Sequence, residues 1–309
     1  MKRGKAFSFG LFVLICSLLV NDSAYADYIY VSDDGNSIDA VMKYDEGGNA
    51  MIFAGPSSGV DRPYGMAFDG SGNLFVVDWW NTTIVKLDPN GNSSVFADAS
   101  SGIDSPVGLA FDSSGNLYVA NYWSNTIVKL DPNGNSSVFA DSNLDNPKGL
   151  AFDGSGNLYV ANWGGNSIAK IDPSGSTTIF VNSGLNRPAG LAFDTSGNLY
   201  VANAASGSWS AGRIMKFDPS GNGSVFGDNS GGHYYSGLAF DSNGNLFVSD
   251  IVFGTVEKFD SSGNSSVFVS GLDRPRFIAI QVPEPATCSL LLLGVLALLG
   301  TRSLHRRSS

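Results

Sequence analysis

Cysteine is nearly missing from this chain. The two that occur, Cys16 and Cys288, lie near opposite ends, so the stretch between them has no disulfide and no thiol chemistry. Histidine is as scarce: of two, only His233 lies in that stretch, which excludes a site built on paired imidazoles. Glutamate between residues 27 and 282 is limited to Glu46 and Glu257. Basic charge is short as well. Residues 27–282 carry 26 acidic and 12 basic side chains, near −14 in all, which argues against a nucleic-acid partner. The same stretch has no sustained helical period. A hydrophobic core alone must hold it, and about 256 residues suffice to bury one.

Long apolar runs are confined to the two ends. Lys2, Arg3 and Lys5 precede the apolar stretch Phe7–Val20, and Ala24-Tyr25-Ala26 fits a small-x-small cleavage site. Residues 1–26 are therefore expected to be a secretory signal. The run is too short to span a bilayer comfortably, and Ile15 before Cys16 is too large for a lipoprotein box.

At the other end, Pro283-Glu284-Pro285 precedes an apolar run over 286–301 and a basic tail with Arg302, Arg306 and Arg307. That run is near the lower limit for a spanning helix, and the basic tail would stay cytoplasmic. These three parts, in this order, resemble the PEP-CTERM sorting signal of Gram-negative bacteria. The resemblance implies an exosortase-type sorting protease as partner and transient lodging in the inner membrane through 286–301. It also implies cleavage near Pro283, Glu284 and Pro285, and delivery to the cell surface. A plain C-terminal anchor is the alternative. The expected division is a signal peptide over 1–26, a folded domain over 27–282 and a sorting segment over 283–309.

Between the ends one phrase recurs: G-L-A-F-D, a polar turn, then G-N-L-Y-V-A-N. Its leading glycines are Gly65, Gly108, Gly149, Gly190 and Gly237, spaced by 43, 41, 41 and 47 residues. Repeats of this length mean one supersecondary unit used many times. Each unit holds four short apolar segments between turn sequences such as Asp131-Pro132-Asn133-Gly134-Asn135. Their β-branched and aromatic content suits strands. Four antiparallel strands every 40-odd residues read as a propeller blade. Five units are complete. The remnants supply a sixth: Tyr28–Val31, Val41–Tyr44 and Met51–Ala54 match the later strands, and Arg276–Gln281 supplies the first. The expectation is an all-β, six-bladed β-propeller with one blade shared between the two ends, which closes the ring and removes exposed edges.

The pattern P-x-G-L-A-F-D…G-N-L-Y-V-A-N…I-V-K-L-D-P-x-G resembles the NHL-repeat family and the related gluconolactonase-type propellers over the whole of 27–282. The resemblance implies the fold. Function is left open, because such propellers include scaffolds, binders, lactonases and lyases.

One face of the ring should be monotonous, carrying D-x-S-G-N and D-P-x-G-N turns. Their spacing has a faint likeness to calcium loops, with too few carboxylates for one. The other face should carry the variation. All five tryptophans fall in its second-to-third loops: Trp79, Trp80, Trp123, Trp163 and Trp209, with Tyr122 and Phe253. Its blade links add Arg62, Lys148, Arg187, Arg274, Arg276 and the run His233-Tyr234-Tyr235. Aromatic planes beside hydrogen-bonding groups suit a sugar ring. Tryptophans plugged between blades are the other reading. The residues closing each second strand, Asp33, Asp78, Asn121, Asn162, Asn203 and Asp250, either converge on the channel and hold a cation such as Ca2+ or cap strand ends. Gluconolactonase-type enzymes imply a metal held by Glu, Asn and Asp, but neither Glu46 nor Glu257 matches the family's early-strand Glu. No nucleophile–base pair is indicated, and His233 reads as a loop residue. Three functions remain: a surface binding protein for extracellular polysaccharide or another envelope component, a metal-dependent lactonase, and a matrix protein without a ligand.

Overall fold

The computed structural model describes residues 27–204, 212–228 and 231–281. They form six four-stranded antiparallel sheets arranged as blades. In five blades the strands follow chain order, as in Pro147–Phe152, Leu158–Asn162, Ser167–Ile171 and Thr177–Val181 of blade four. Blade one is the exception. Its inner strand, Pro275–Gln281, comes from the far end of the chain and pairs with Tyr28–Asp33, followed by Ala40–Tyr44 and Ala50–Ala54. The shared blade is present, and with it the six-bladed ring. The expected signal and sorting segments, and Trp209, lie outside the described residues. Among those described, no helix is long and apolar enough to cross a membrane.

The repeated phrase is explained by packing. The inner strands of successive blades touch one another all the way round. A Cβ on Gly65, Gly108, Gly149 or Gly190 would overlap the carbonyl oxygen of Val107, Lys148, Ala189 or Ser236 in the next inner strand. Glycine is the residue that permits that approach. The second strands are buried along their whole length because a blade packs on both of their faces. Their aromatic residue bridges blades. Tyr159 meets Phe180 of its own blade and Phe193 of the next edge-on, both at 5.0 Å between centroids. Tyr118, Tyr200 and Phe75 repeat that contact. Such edge-to-face pairs contribute about 1 kcal/mol each beyond their buried area.

The turn face is equally uniform. Asp153 Oδ1 accepts the backbone N–H of Ser155 and Asn157, each at 2.9 Å, and its Oδ2 accepts the Asn157 amide at 2.8 Å. Asp69, Asp112, Asp194 and Asp241 do the same. These carboxylates bond the backbone and amide of their own turns, as hairpin turns require.

Candidate functional site

Two repeated backbone devices aim variable side chains at the channel mouth on the other face. In each blade except six, where Tyr235 stands instead, the inner strand begins at a proline. The residue after that position carries a different side chain in every blade: Arg276, Tyr64, Val107, Lys148, Ala189 and Ser236, from blade one to blade six. The second device is a backbone bond. The residue following each second-strand cap donates its N–H to the carbonyl of the residue just before the inner strand: Trp79 to Arg62 at 3.3 Å, Tyr122 to Ser105 at 3.1 Å, Trp163 to Asn146 at 3.2 Å. Arg62, Ser105, Asn146 and Arg187 hold positive φ there, which bends the link over the ring. Asp34, Ala204 and Ile251 are anchored the same way.

Together these positions enclose a cavity of about 320 Å³. Asp34, Arg62, Tyr64, Trp79, Val107, Tyr122, Trp123, Lys148, Trp163, Tyr234, Arg274 and Arg276 line it. The small or aliphatic residues of blades five and six, Ala189, Ser236, Ala204 and Ile251, do not, and on that side Tyr234 alone reaches the cavity. A hollow of about 570 Å³ lies between blades two and three on the turn face, and one of about 300 Å³ between blades four and five. Both are lined by the repeated Asp, Lys and Phe residues, so the larger volume follows from the repeat and marks no individual site.

The tryptophans are not plugged between sheets as a set. Trp79 is 37% exposed, Trp80 60% and Trp123 66%. Trp163 is half-buried, with one side against the core of blades five and six and the other on the cavity. Tyr122 and Trp123 stand edge to face at 4.7 Å. Trp80 and Arg187 fall outside the lining: Trp80 stacks under Arg62 at 4.6 Å, and Arg187 lies over Trp163 at 5.6 Å. Arg274 and Arg276 both reach Asp34, at 3.6 and 2.8 Å. Lys148 is 4% exposed, with Nζ 4.1 Å from the centre of the Trp163 ring. Burial, and then the charge of Arg276, bring its affinity for a proton down to about 7; Asp34 offsets part of this. Burial pushes the hydroxyl of Tyr234 up to about 12 and that of Tyr64 upward.

The series at the second-strand ends caps backbone. Asn121 Oδ1 accepts the N–H of Asp104 at 3.1 Å, and its amide donates to Gly102 O at 2.9 Å. Asn162 and Asn203 repeat this with Asp145 and Asn186. Asp33 accepts from Gly35, Asp273 and Arg274, and Asp78 from Asn81. Asp250 departs from the series. One carboxylate oxygen accepts from Tyr234, Val252 and Phe253, while the other meets His233 Nδ1. Glu257 Oε1 lies 3.2 Å from the same nitrogen, and Tyr235 donates to Glu257 Oε2 at 3.3 Å. Their donor atoms lie within 4.8 Å of one another, close enough for a metal ion. From the sequence alone His233 reads as a loop residue and Glu257 matches no family position. The missed signal was register: Glu257 sits opposite Val248, where Val85, Val128, Ala169 and Met215 occupy the matching place in other blades.

Comparison with known proteins bears on both parts of the chain. Residues 281–307 match the PEP-CTERM protein-sorting motif. No curated protein sequence matches. Among solved structures, a chain of the nidogen/laminin complex is similar with TM-score 0.72 and 21% identity, over 84% of this chain and 99% of that one. A virginiamycin B lyase from Staphylococcus aureus is similar with TM-score 0.58 and 16% identity, over 70% of this chain and 73% of that one. A gluconolactonase from Xanthomonas campestris gives TM-score 0.58 and 20% identity, over 70% and 78%. At these identities the likeness is one of fold. The chain is a six-bladed β-propeller carrying a PEP-CTERM sorting motif at its C-terminus, which implies export across the inner membrane to the cell surface.

Proposed function

We propose that this protein is a surface-delivered binding protein whose channel-mouth cavity engages extracellular polysaccharide or another saccharide of the cell envelope. Residues 1–26 direct export, and the exosortase-type protease acts near Pro283-Glu284-Pro285. The observation that carries the binding reading is the placement of Trp79, Trp123 and Trp163 around a cavity of about 320 Å³, with polar groups of Asp34, Arg62 and Tyr234 beside them. An aromatic plane covers the apolar face of a pyranose ring, and the polar groups bond its hydroxyls. A cavity of this size lies at the lower end of the range of small-ligand sites, about 300–1,000 Å³. A lactone hydrolase has less support, because the lining contains a single carboxylate, Asp34, and Arg276 holds it at 2.8 Å.

The test is retention of the mature exported protein on immobilised polysaccharides, with Trp123→Ala and Trp163→Ala in parallel. Retention on at least one polysaccharide, lost in both variants, is expected. Absence of retention on any glycan, or retention indifferent to both changes, overturns the reading.

A further inference from the structure

The cavity is cationic in a domain that is otherwise strongly acidic. We propose that its ligand is an acidic saccharide, whose carboxylate or sulfate group seats between Lys148 and Arg276; this rests on the saccharide reading above. Lys148 and Arg276 hold the same register position in blades four and one. In a ring of six, those blades stand opposite each other. Both cations approach one aromatic ring between them, Arg276 Cζ at 4.9 Å and Lys148 Nζ at 5.9 Å from the centre of Tyr64.

The charges do not balance within the protein. Asp34 is taken by Arg276 and Arg274. Among the described residues no carboxylate lies within ion-pair distance of Lys148. Lys148 nonetheless keeps an ammonium-bearing chain 4% exposed, where the neighbouring blades carry Val107 and Ala189 at the matching position. A buried charge without a partner is costly, and a hydrophobic residue would serve packing better. The turn face shows that the repeat can supply partners. Lys86, Lys129, Lys170, Lys216 and Lys258 each lie 3.6 to 4.0 Å from a turn aspartate. The partner is missing at the one lysine that faces the cavity. An anion placed between Lys148 and Arg276 relieves their mutual repulsion and supplies that counter-charge. Trp163, already under Lys148, is then positioned against the sugar ring that bears the anion.

The experiment follows tryptophan fluorescence of the mature exported protein titrated at pH 6. The ligands are trigalacturonate, its neutral methyl ester and a sulfated trisaccharide. The proposal expects uronate or sulfate to bind about tenfold or more tightly than the ester, since charge-assisted contacts are stronger than neutral ones and Lys148 is buried. Uronate alone, or sulfate alone, identifies which anion the site takes. Affinity for that ligand should fall between pH 7 and pH 9, as Lys148 loses its proton while the ligand stays charged. In Lys148→Met the preference for the charged ligand should drop to near unity while the melting temperature rises, a combination that loss of fold cannot produce. Equal affinity for acid and ester overturns the proposal and leaves saccharide binding standing. Binding of no saccharide overturns the saccharide reading itself. A stabilised Lys148→Met protein that keeps its full preference removes Lys148 from the site.

Discussion

Two lysines of the same blade show how the two faces differ. Lys170 stands on the turn face, 3.7 Å from Asp153 and 5.2 Å from the centre of the Tyr159 ring. The Tyr159 hydroxyl and the Asp153 carboxylate, acting against partial burial, raise its hold on a proton. Lys148 stands at the channel mouth with an aromatic ring and, among the described residues, no carboxylate within ion-pair distance, and its hold is lowered to about 7. The first arrangement recurs in five blades. The second occurs once. Repetition here follows from packing, because every blade must solve the same contact with its neighbour. A departure from repetition that weakens packing needs another cause, and a ligand is the cause proposed at Lys148.

The contrast can be broken most sharply at the scaffold. Gly149→Val places a side chain into the Ala189 carbonyl, and the nearest atoms are backbone that cannot yield. A loss of about 4 kcal/mol or more, or failure to fold, is expected from soluble yield and thermal melts. Unchanged stability would mean the inner strands sit farther apart than described.

Next comes pH. Lys148 holds its proton less tightly folded, at about 7, than in the unfolded chain, where the ordinary value is 10.5. Between those values the unfolded chain binds more protons, so this group makes stability rise with pH across that window. Its destabilising contribution is fully present below pH 7. Lys148→Met should lack the rise, and urea midpoints at pH 6, 8 and 10 measure it.

Asp153→Ala sharpens the contrast from the other face. It removes three hydrogen bonds within one turn and the partner of Lys170. A loss of about 1–2 kcal/mol is expected, with ligand affinity unchanged. Burial raises the Asp153 carboxyl, but the bonds from Asn157 and Ser155 outweigh it and hold it below the ordinary range. Its stabilising contribution is therefore present above the ordinary carboxylate value and is lost as pH falls through the depressed one. The smallest stability effect belongs to Trp123→Ala. With the side chain 66% exposed, stability should move by no more than about 0.5 kcal/mol. Binding should nonetheless weaken about tenfold or more, as for aromatic anchors in general.

The ring was legible in the sequence because its determinants are local and repeated. Glycine spacing gives the blade, and the leftover strands near Tyr28 and Arg276 give the closure. The face that varies was legible too, since antiparallel order alone puts Trp79, Trp123 and Trp163 beside the links. What the sequence hid depends on closing the ring. Lys148 and Arg276 are 128 residues apart in the chain, and their opposition follows only once blade four is set across from blade one. Trp80 shares a loop with the lining residue Trp79 but leaves the cavity to stack under Arg62, and the link that holds Arg187 contributes nothing to the lining. The contact of His233 with Asp250 and Glu257 was hidden for a different reason: it joins a link, a second-strand end and a third strand of blade six, three places that no short motif connects.

The most direct measurement is a structure of the mature protein with a bound oligosaccharide. The account predicts a sugar ring against Trp163 at the channel mouth, with its charged group between Lys148 and Arg276. A ligand seated on the turn face among Asp69, Lys86 and Asp112, or along the outer strands, would contradict it.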